Sequence, residues 1–126
     1  MRSARGMREL ALCAALALAW SLAGAEPAVA HAILLESTPA VDAVLPGPDL
    51  EISLHFNSRI DAGRSKLTLV PADGKERPIE VLAGDEGVLR GRATGLAPGA
   101  YRLRWQVLAL DGHISRGDVP FRVAAP

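Results

Sequence analysis

From residue 31 onward, apolar and polar side chains alternate in short runs broken by proline, glycine and aspartate, which is strand spacing and not helix spacing. Seven such runs predict strands over Ala32 to Glu36, Leu50 to Phe56, Lys66 to Val70, Pro78 to Leu82, Gly87 to Arg92, Ala100 to Leu110 and Asp118 to Val123. Because successive strand residues point to opposite faces, Ile52, Leu54 and Phe56 share one side of their strand, and Leu67 and Leu69 share one side of theirs. Tyr101, Leu103, Trp105 and Val107 line one side of the longest run. These residues form the expected core. About seven strands in under a hundred residues predict an all-β domain, a Greek-key β-sandwich or flattened barrel.

Two turns sharpen that expectation. Pro71-Ala72-Asp73-Gly74-Lys75 carries hairpin chemistry, with Gly74 free to take positive φ, so it should join neighbouring strands. Gly95-Leu96-Ala97-Pro98-Gly99-Ala100-Tyr101 places a tyrosine at the start of a long strand after a proline-glycine corner. That arrangement looks like the tyrosine corner of immunoglobulin-like sandwiches, in which the hydroxyl bonds back to upstream backbone. It speaks for the fold and not for chemistry.

The first thirty residues differ in composition. Arg2, Arg5 and Arg8 precede an apolar run from Leu10 to Ala25, and Ala28-Val29-Ala30 supplies a small-x-small cleavage motif. Residues 1–30 are therefore expected to be a secretory signal peptide, and residues 31–126 one mature domain beginning at His31. The apolar run suits a signal better than a membrane span, and no second apolar segment follows, so the mature chain is expected to be soluble. Cys13, the single cysteine, would leave with the leader, as would Met1 and Met7. Without thiols or thioethers, a metal would have to be held by nitrogen and oxygen, which favours Cu(II), Ni(II) or Zn(II) over Cu(I).

Residues 31–126 carry eleven Lys and Arg against twelve Asp and Glu, with no basic run studded with aromatics, so a nucleic-acid interface is not expected. There is also no nucleophile elbow, phosphate loop or justified pair of carboxylates, so hydrolase or phosphoryl chemistry has little support.

The chain holds three histidines. As an amino-terminal residue, His31 could chelate a metal through its α-amine and imidazole Nδ1, donors that Cu(II) prefers in a square arrangement. Asp111-Gly112-His113 follows the long strand, and in extended geometry residues two apart project to the same side, so a carboxylate and an imidazole would face one point. Each signal alone also has a plain reading, a chance residue after the cleavage site and an ordinary turn. They strengthen one another because a sandwich can bring its first strand beside a later one. His55, between Leu54 and Phe56, should point away from the core and is expected to be an ordinary surface residue.

The motif order is similar to that of the CopC-like periplasmic copper-resistance proteins. The resemblance rests on Ala-x-Ala followed by His31-Ala32-x-Leu34, Ser37-x-Pro39-Ala40, Leu54-x-Phe56 and the Asp73-Gly74-Lys75 hairpin. It continues through Leu96-x-Pro98-Gly99-x-Tyr101-x-Leu103-x-Trp105 and Asp111-Gly112-His113, and so covers essentially all of residues 31–126. It implies a Cu(II) site, one ion per mature chain, built from the amine and imidazole of His31 with Asp111 and His113. It also implies residence in the periplasm and an inner-membrane copper transporter of CopD type as partner. Some members hold Cu(I) in a methionine-rich loop; no such site is expected here. Ile114-Ser115-Arg116-Gly117 departs from the Pro-Val-Ser-Gly common after the family's histidine, which leaves the ligands intact and alters the local turn.

The function so implied is Cu(II) sequestration, resistance or delivery, with no enzymatic turnover. Two other classes compete. A copper-dependent oxygenase of the histidine-brace type also clamps copper with an amino-terminal histidine, but it needs an open coordination position and a flat, commonly aromatic surface. Residues 31–126 offer one tyrosine, two phenylalanines and one tryptophan, the last assigned to the core. A metal-free immunoglobulin-like interaction module would make His31 and the Asp-Gly-His element coincidental, and metal titration separates it from the other two.

Overall fold

The computed structural model describes residues 32–82 and 84–126; the expected signal peptide with its cleavage motif, and His31, lie outside the described residues. Among the described residues, nine strands form two sheets. They are β1 (Leu34–Thr38), β2 (Ala43–Leu45), β3 (Leu50–Phe56), β4 (Lys66–Pro71), β5 (Arg77–Ile79), β6 (Val81–Leu82), β7 (Val88–Ala93), β8 (Gly99–Leu108) and β9 (Ile114–Val123). One sheet has the order β1-β3-β7-β6 and the other β2-β9-β8-β4-β5. The chain passes repeatedly from one sheet to the other, which makes an immunoglobulin-like sandwich.

Alternation builds the core as expected. Ile52, Leu54 and Phe56 from β3 meet Leu67 and Leu69 from β4 and Leu103, Trp105 and Val107 from β8, and all are buried. Phe56 approaches the Trp105 indole edge-on, with centroids 5.0 Å apart at 68°. Tyr101 stacks on Phe121 at 5.4 Å. Side chains such as Leu54, Leu89 and Leu103, fully removed from water, each contribute about 1.5–3 kcal/mol. Among the described residues, every core side chain lies between Ala32 and Val123, so this span carries a core of its own.

Both turns form. Asp73 Oδ1 accepts from Lys75 N at 2.9 Å, Gly74 takes φ +78°, and β4 pairs with β5 across the loop. Tyr101 Oη donates to the Ala97 carbonyl at 2.5 Å, the expected tyrosine corner.

Nine strands replace the expected seven for local reasons. The run Pro78 to Leu82 is not one strand: β5 pairs with β4, whereas β6 pairs with β7 in the opposite sheet. Pro78 lacks an N–H, and β5 accordingly lies at a sheet edge. The crossing at Glu80 is possible because Gly91 lies beneath it; a Cβ there would stand 2.9 Å from Leu67 Cδ1 and 3.2 Å from the Glu80 carbonyl. The other addition, β2, is a three-residue strand parallel to β9, too short between its flanking prolines for alternation to register. β9 also starts at Ile114 rather than Asp118, because β8 pairs with it without interruption from Gly99–Val123 to Leu108–Ile114.

Candidate metal centre

Asp111, Gly112 and His113 occupy the hairpin that joins β8 to β9. The loop closes on itself: Gly112 N donates to the Ala109 carbonyl at 2.9 Å, and Ala109 N donates to the His113 carbonyl at 2.8 Å. Gly112 adopts φ +92°, a conformation that costs glycine little. Asp111 Oδ1 accepts the His113 backbone N–H at 3.0 Å and lies 3.2 Å from His113 Nδ1. Carboxylate and imidazole therefore do face one another, but through a tight side-chain-to-backbone turn and not through the strand alternation that suggested it. Their side chains are 43% and 48% exposed.

The Asp111 carboxyl is held below its ordinary value, first by the hydrogen bond from the His113 backbone; desolvation opposes this, and the hydrogen bond and charge of the His113 side chain add to the lowering. The carboxylate is thus ionised and acceptor-only throughout the neutral range.

A single stretch, residues 57–61, anchors this hairpin and the start of β1 together. Leu110 N donates to the Arg59 carbonyl at 3.2 Å, Asp61 N donates to the Leu108 carbonyl at 2.8 Å, and Ile60 bridges to Ala109. Upstream on the same stretch, Asn57 Oδ1 accepts from Ile33 N at 2.8 Å, while Asn57 N donates to the Ile33 carbonyl at 3.0 Å. The first described residues are therefore clamped two positions from the carbonyl that holds the hairpin. Sequence reasoning did not single out Asn57; its signal was an amide with both donor and acceptor capacity directly after the strand-ending Phe56.

Among the described residues, no group of three or more His, Cys, Asp and Glu side chains gathers. The hairpin brings together two of the three expected ligands, Asp111 and His113; the third, His31, lies outside the described residues. His55 projects from the outer side of β3, with Nε2 3.2 Å from Ser53 Oγ, in the sheet that does not carry the hairpin. Oδ1 and Nδ1, 3.2 Å apart, are in direct hydrogen-bonding contact, and an ion taking both donors would replace that contact. Their hard oxygen and borderline nitrogen suit a divalent ion such as Cu(II).

The two-sheet topology, the tyrosine corner and an Asp-Gly-His hairpin at one end of the longest strand pair define a small immunoglobulin-like sandwich of a particular type. The CopC domain family's profile matches residues 34–124, and the chain belongs to that family. Copper resistance protein C of Xanthomonas campestris pv. juglandis is 31% identical over 115 residues, spanning 84% of this chain and 89% of that protein. Protein YobA of Escherichia coli (strain K12) is 26% identical over 98 residues, spanning 75% and 79%. Among solved structures, CopC from Methylosinus trichosporium OB3b superposes with a TM-score of 0.67 at 26% identity, covering 75% of this chain and 94% of that one. PcoC, a methionine-rich copper resistance protein from Escherichia coli, shares the fold with a TM-score of 0.57 at 24% identity, covering 75% and 99%.

Proposed function

We propose that residues 31–126, released by cleavage after Ala30, act in the periplasm as a Cu(II)-binding protein that sequesters copper or passes it to an inner-membrane copper transporter. The observation that carries this reading is the Asp111–His113 pair, 3.2 Å apart on an exposed hairpin anchored to the same backbone stretch as Ile33, two residues after His31. Family membership and the 31% identity to a copper resistance protein support the same assignment. The function is binding, without turnover of a substrate.

In this reading one Cu(II) ion takes the His31 amine and imidazole, the His113 imidazole and the Asp111 carboxylate. The hairpin contributes position: its backbone bonds hold Asp111 and His113 side by side before the ion arrives, so little ordering is needed on binding. The exposure of both side chains leaves a route for ligand exchange with a partner. Cys13, Met1 and Met7 all precede residue 31, so the released domain offers no sulfur for Cu(I).

A competition titration of residues 31–126, bearing a free amine, tests the site. One equivalent of Cu(II) should bind to the wild type, and His113→Ala should bind far more weakly. Equal affinity would remove the hairpin from the site. Copper should also raise the melting temperature, by about 2.7 kcal/mol of added stability when free copper is a hundredfold above Kd.

A further inference from the structure

The outward face of the five-stranded sheet has a charge opposite to that of the rest of the domain. Its residues follow from strand register: Arg122 lies between Val44 and Ala100, Arg102 between Val70 and Pro120, Arg104 between Thr68 and Asp118, and Gln106 between Lys66 and Arg116. Five cations thus share one face. Asp118 is their only carboxylate neighbour on these strands, placed 3.5 Å from Arg104 and 3.8 Å from Arg102, and Glu76 reaches Arg104 from the β4–β5 loop at 2.8 Å. With Asp42, which also borders Arg102 and Arg122, the face nets two positive charges, while the remainder of residues 31–126 nets three negative ones. Arg122 and Lys66 are exposed, and neither makes an ion pair among the described residues.

Exposed aliphatics end this basic stripe. Val44, 66% exposed, adjoins Arg122, and Ile114, 50% exposed, stands at the other end of β9 directly after His113. Between Arg102 and Arg122 lies an open cavity of about 500 Å³ that Val70, Pro120 and Asp42 also line.

We propose that this face docks the domain onto an anionic phospholipid surface. Guanidinium groups pair phosphates through two parallel bonds, and aliphatics at the rim can enter the headgroup boundary. Arg116 and Arg122 are about 20 Å apart along β9, and laterally mobile headgroups can match such a spread array, whereas a folded acidic protein would need the same fixed spacing. Docking by this face brings Ile114, and with it the Asp111–His113 hairpin, to the bilayer. The proposal goes beyond the copper reading and stands without it.

The test uses copper-free residues 31–126 and vesicles of phosphatidylcholine, alone or mixed with phosphatidylglycerol, at low salt. Cosedimentation should be at least about tenfold stronger with phosphatidylglycerol and should fall with added salt. Lys66→Gln should weaken it roughly fivefold, and Arg102→Gln with Arg122→Gln by more. Arg90→Gln with Arg92→Gln, on the outward face of the other sheet, should leave it unchanged. Cooperative melting of each variant separates lost docking from lost fold, and Lys66→Gln carries the test if the arginine pair unfolds. No preference for phosphatidylglycerol, equal weakening by the Arg90 and Arg92 changes, or capture by polyglutamate without vesicle binding would overturn the proposal. Copper titration of Arg102→Gln with Arg122→Gln, expected to match wild type, keeps this outcome distinct from the site's.

Discussion

Asp111 Oδ1 accepts the backbone N–H of His113 at 3.0 Å and lies 3.2 Å from the Nδ1 of the same histidine. One carboxylate oxygen therefore fixes both the turn and the imidazole. Removing Asp111 loosens His113 as well as deleting a donor, whereas removing His113 deletes a nitrogen that nothing else on the hairpin replaces.

The two substitutions should consequently rank. Asp111→Ala should lower Cu(II) affinity by about 10–100-fold, the range found when a partner that orients a metal-binding histidine is removed. His113→Ala should lower it further, and His55→Ala, on the opposite sheet, should leave it unchanged. Competition titrations against a common chelator measure all three. A larger loss for Asp111→Ala than for His113→Ala would mean that the carboxylate dominates.

The pH dependence follows from the same pair. With its pKa lowered from 3.8, Asp111 is ionised in the folded state. Its stabilising contribution is present above the unfolded carboxyl value and is lost only as pH falls through the lower folded one. It does not titrate between pH 8 and pH 5, so any fall in copper affinity there comes from nitrogen protons. The amine and imidazole donors must each shed a proton before they can hold the metal, so affinity should fall as pH drops across that window. A chain carrying one extra residue before His31 should bind more weakly and with a shallower slope. Identical profiles for the two chains would exclude the amine as a donor.

Much of the sandwich was legible because burial on one face imposes alternation on β3, β4 and β8, and their boundaries follow it closely. Alternation does not record which sheet a strand joins. Pro78 to Leu82 reads as one strand, and only the absence of a side chain at Gly91, distant in sequence, lets the chain cross at Glu80. At the hairpin, Asp111 and His113 could be recognised by residue type, while their spacing depends on a turn built by Asp111 itself. Asn57 was invisible as an anchor because its role exists only once β1 lies beside β3 and fixes Ile33 against it.

The tyrosine corner offers a test of fold independent of metal. Tyr101→Phe keeps the stacked ring against Phe121 and removes only the hydroxyl that bonds the Ala97 carbonyl. Unfolding by urea should show a loss of about 0.5–1.5 kcal/mol, with copper affinity unchanged. A loss several times larger would mean that the ring itself had moved.

Gly112 and Gly117 flank His113 on either side, and their replacement by alanine should separate site from core. At Gly112 a Cβ would meet nothing within 4 Å, but φ is +92°, so alanine strains the backbone of the turn. The expected cost is about 1–2 kcal/mol, accompanied by weaker copper binding as the turn relaxes and Asp111 separates from His113. Gly117 has no such backbone constraint; there a Cβ would stand 2.7 Å from Trp105 Cε2, against an indole already packed on Phe56. A rigid ring in a filled core cannot yield cheaply, so Gly117→Ala should cost about 1–3 kcal/mol. Trp105 is the one tryptophan in residues 31–126, and its fluorescence should report the displacement directly. Gly112→Ala should leave that emission unchanged. If Gly117→Ala altered copper affinity while leaving both stability and Trp105 emission untouched, the indole would not be packed against β9 as described.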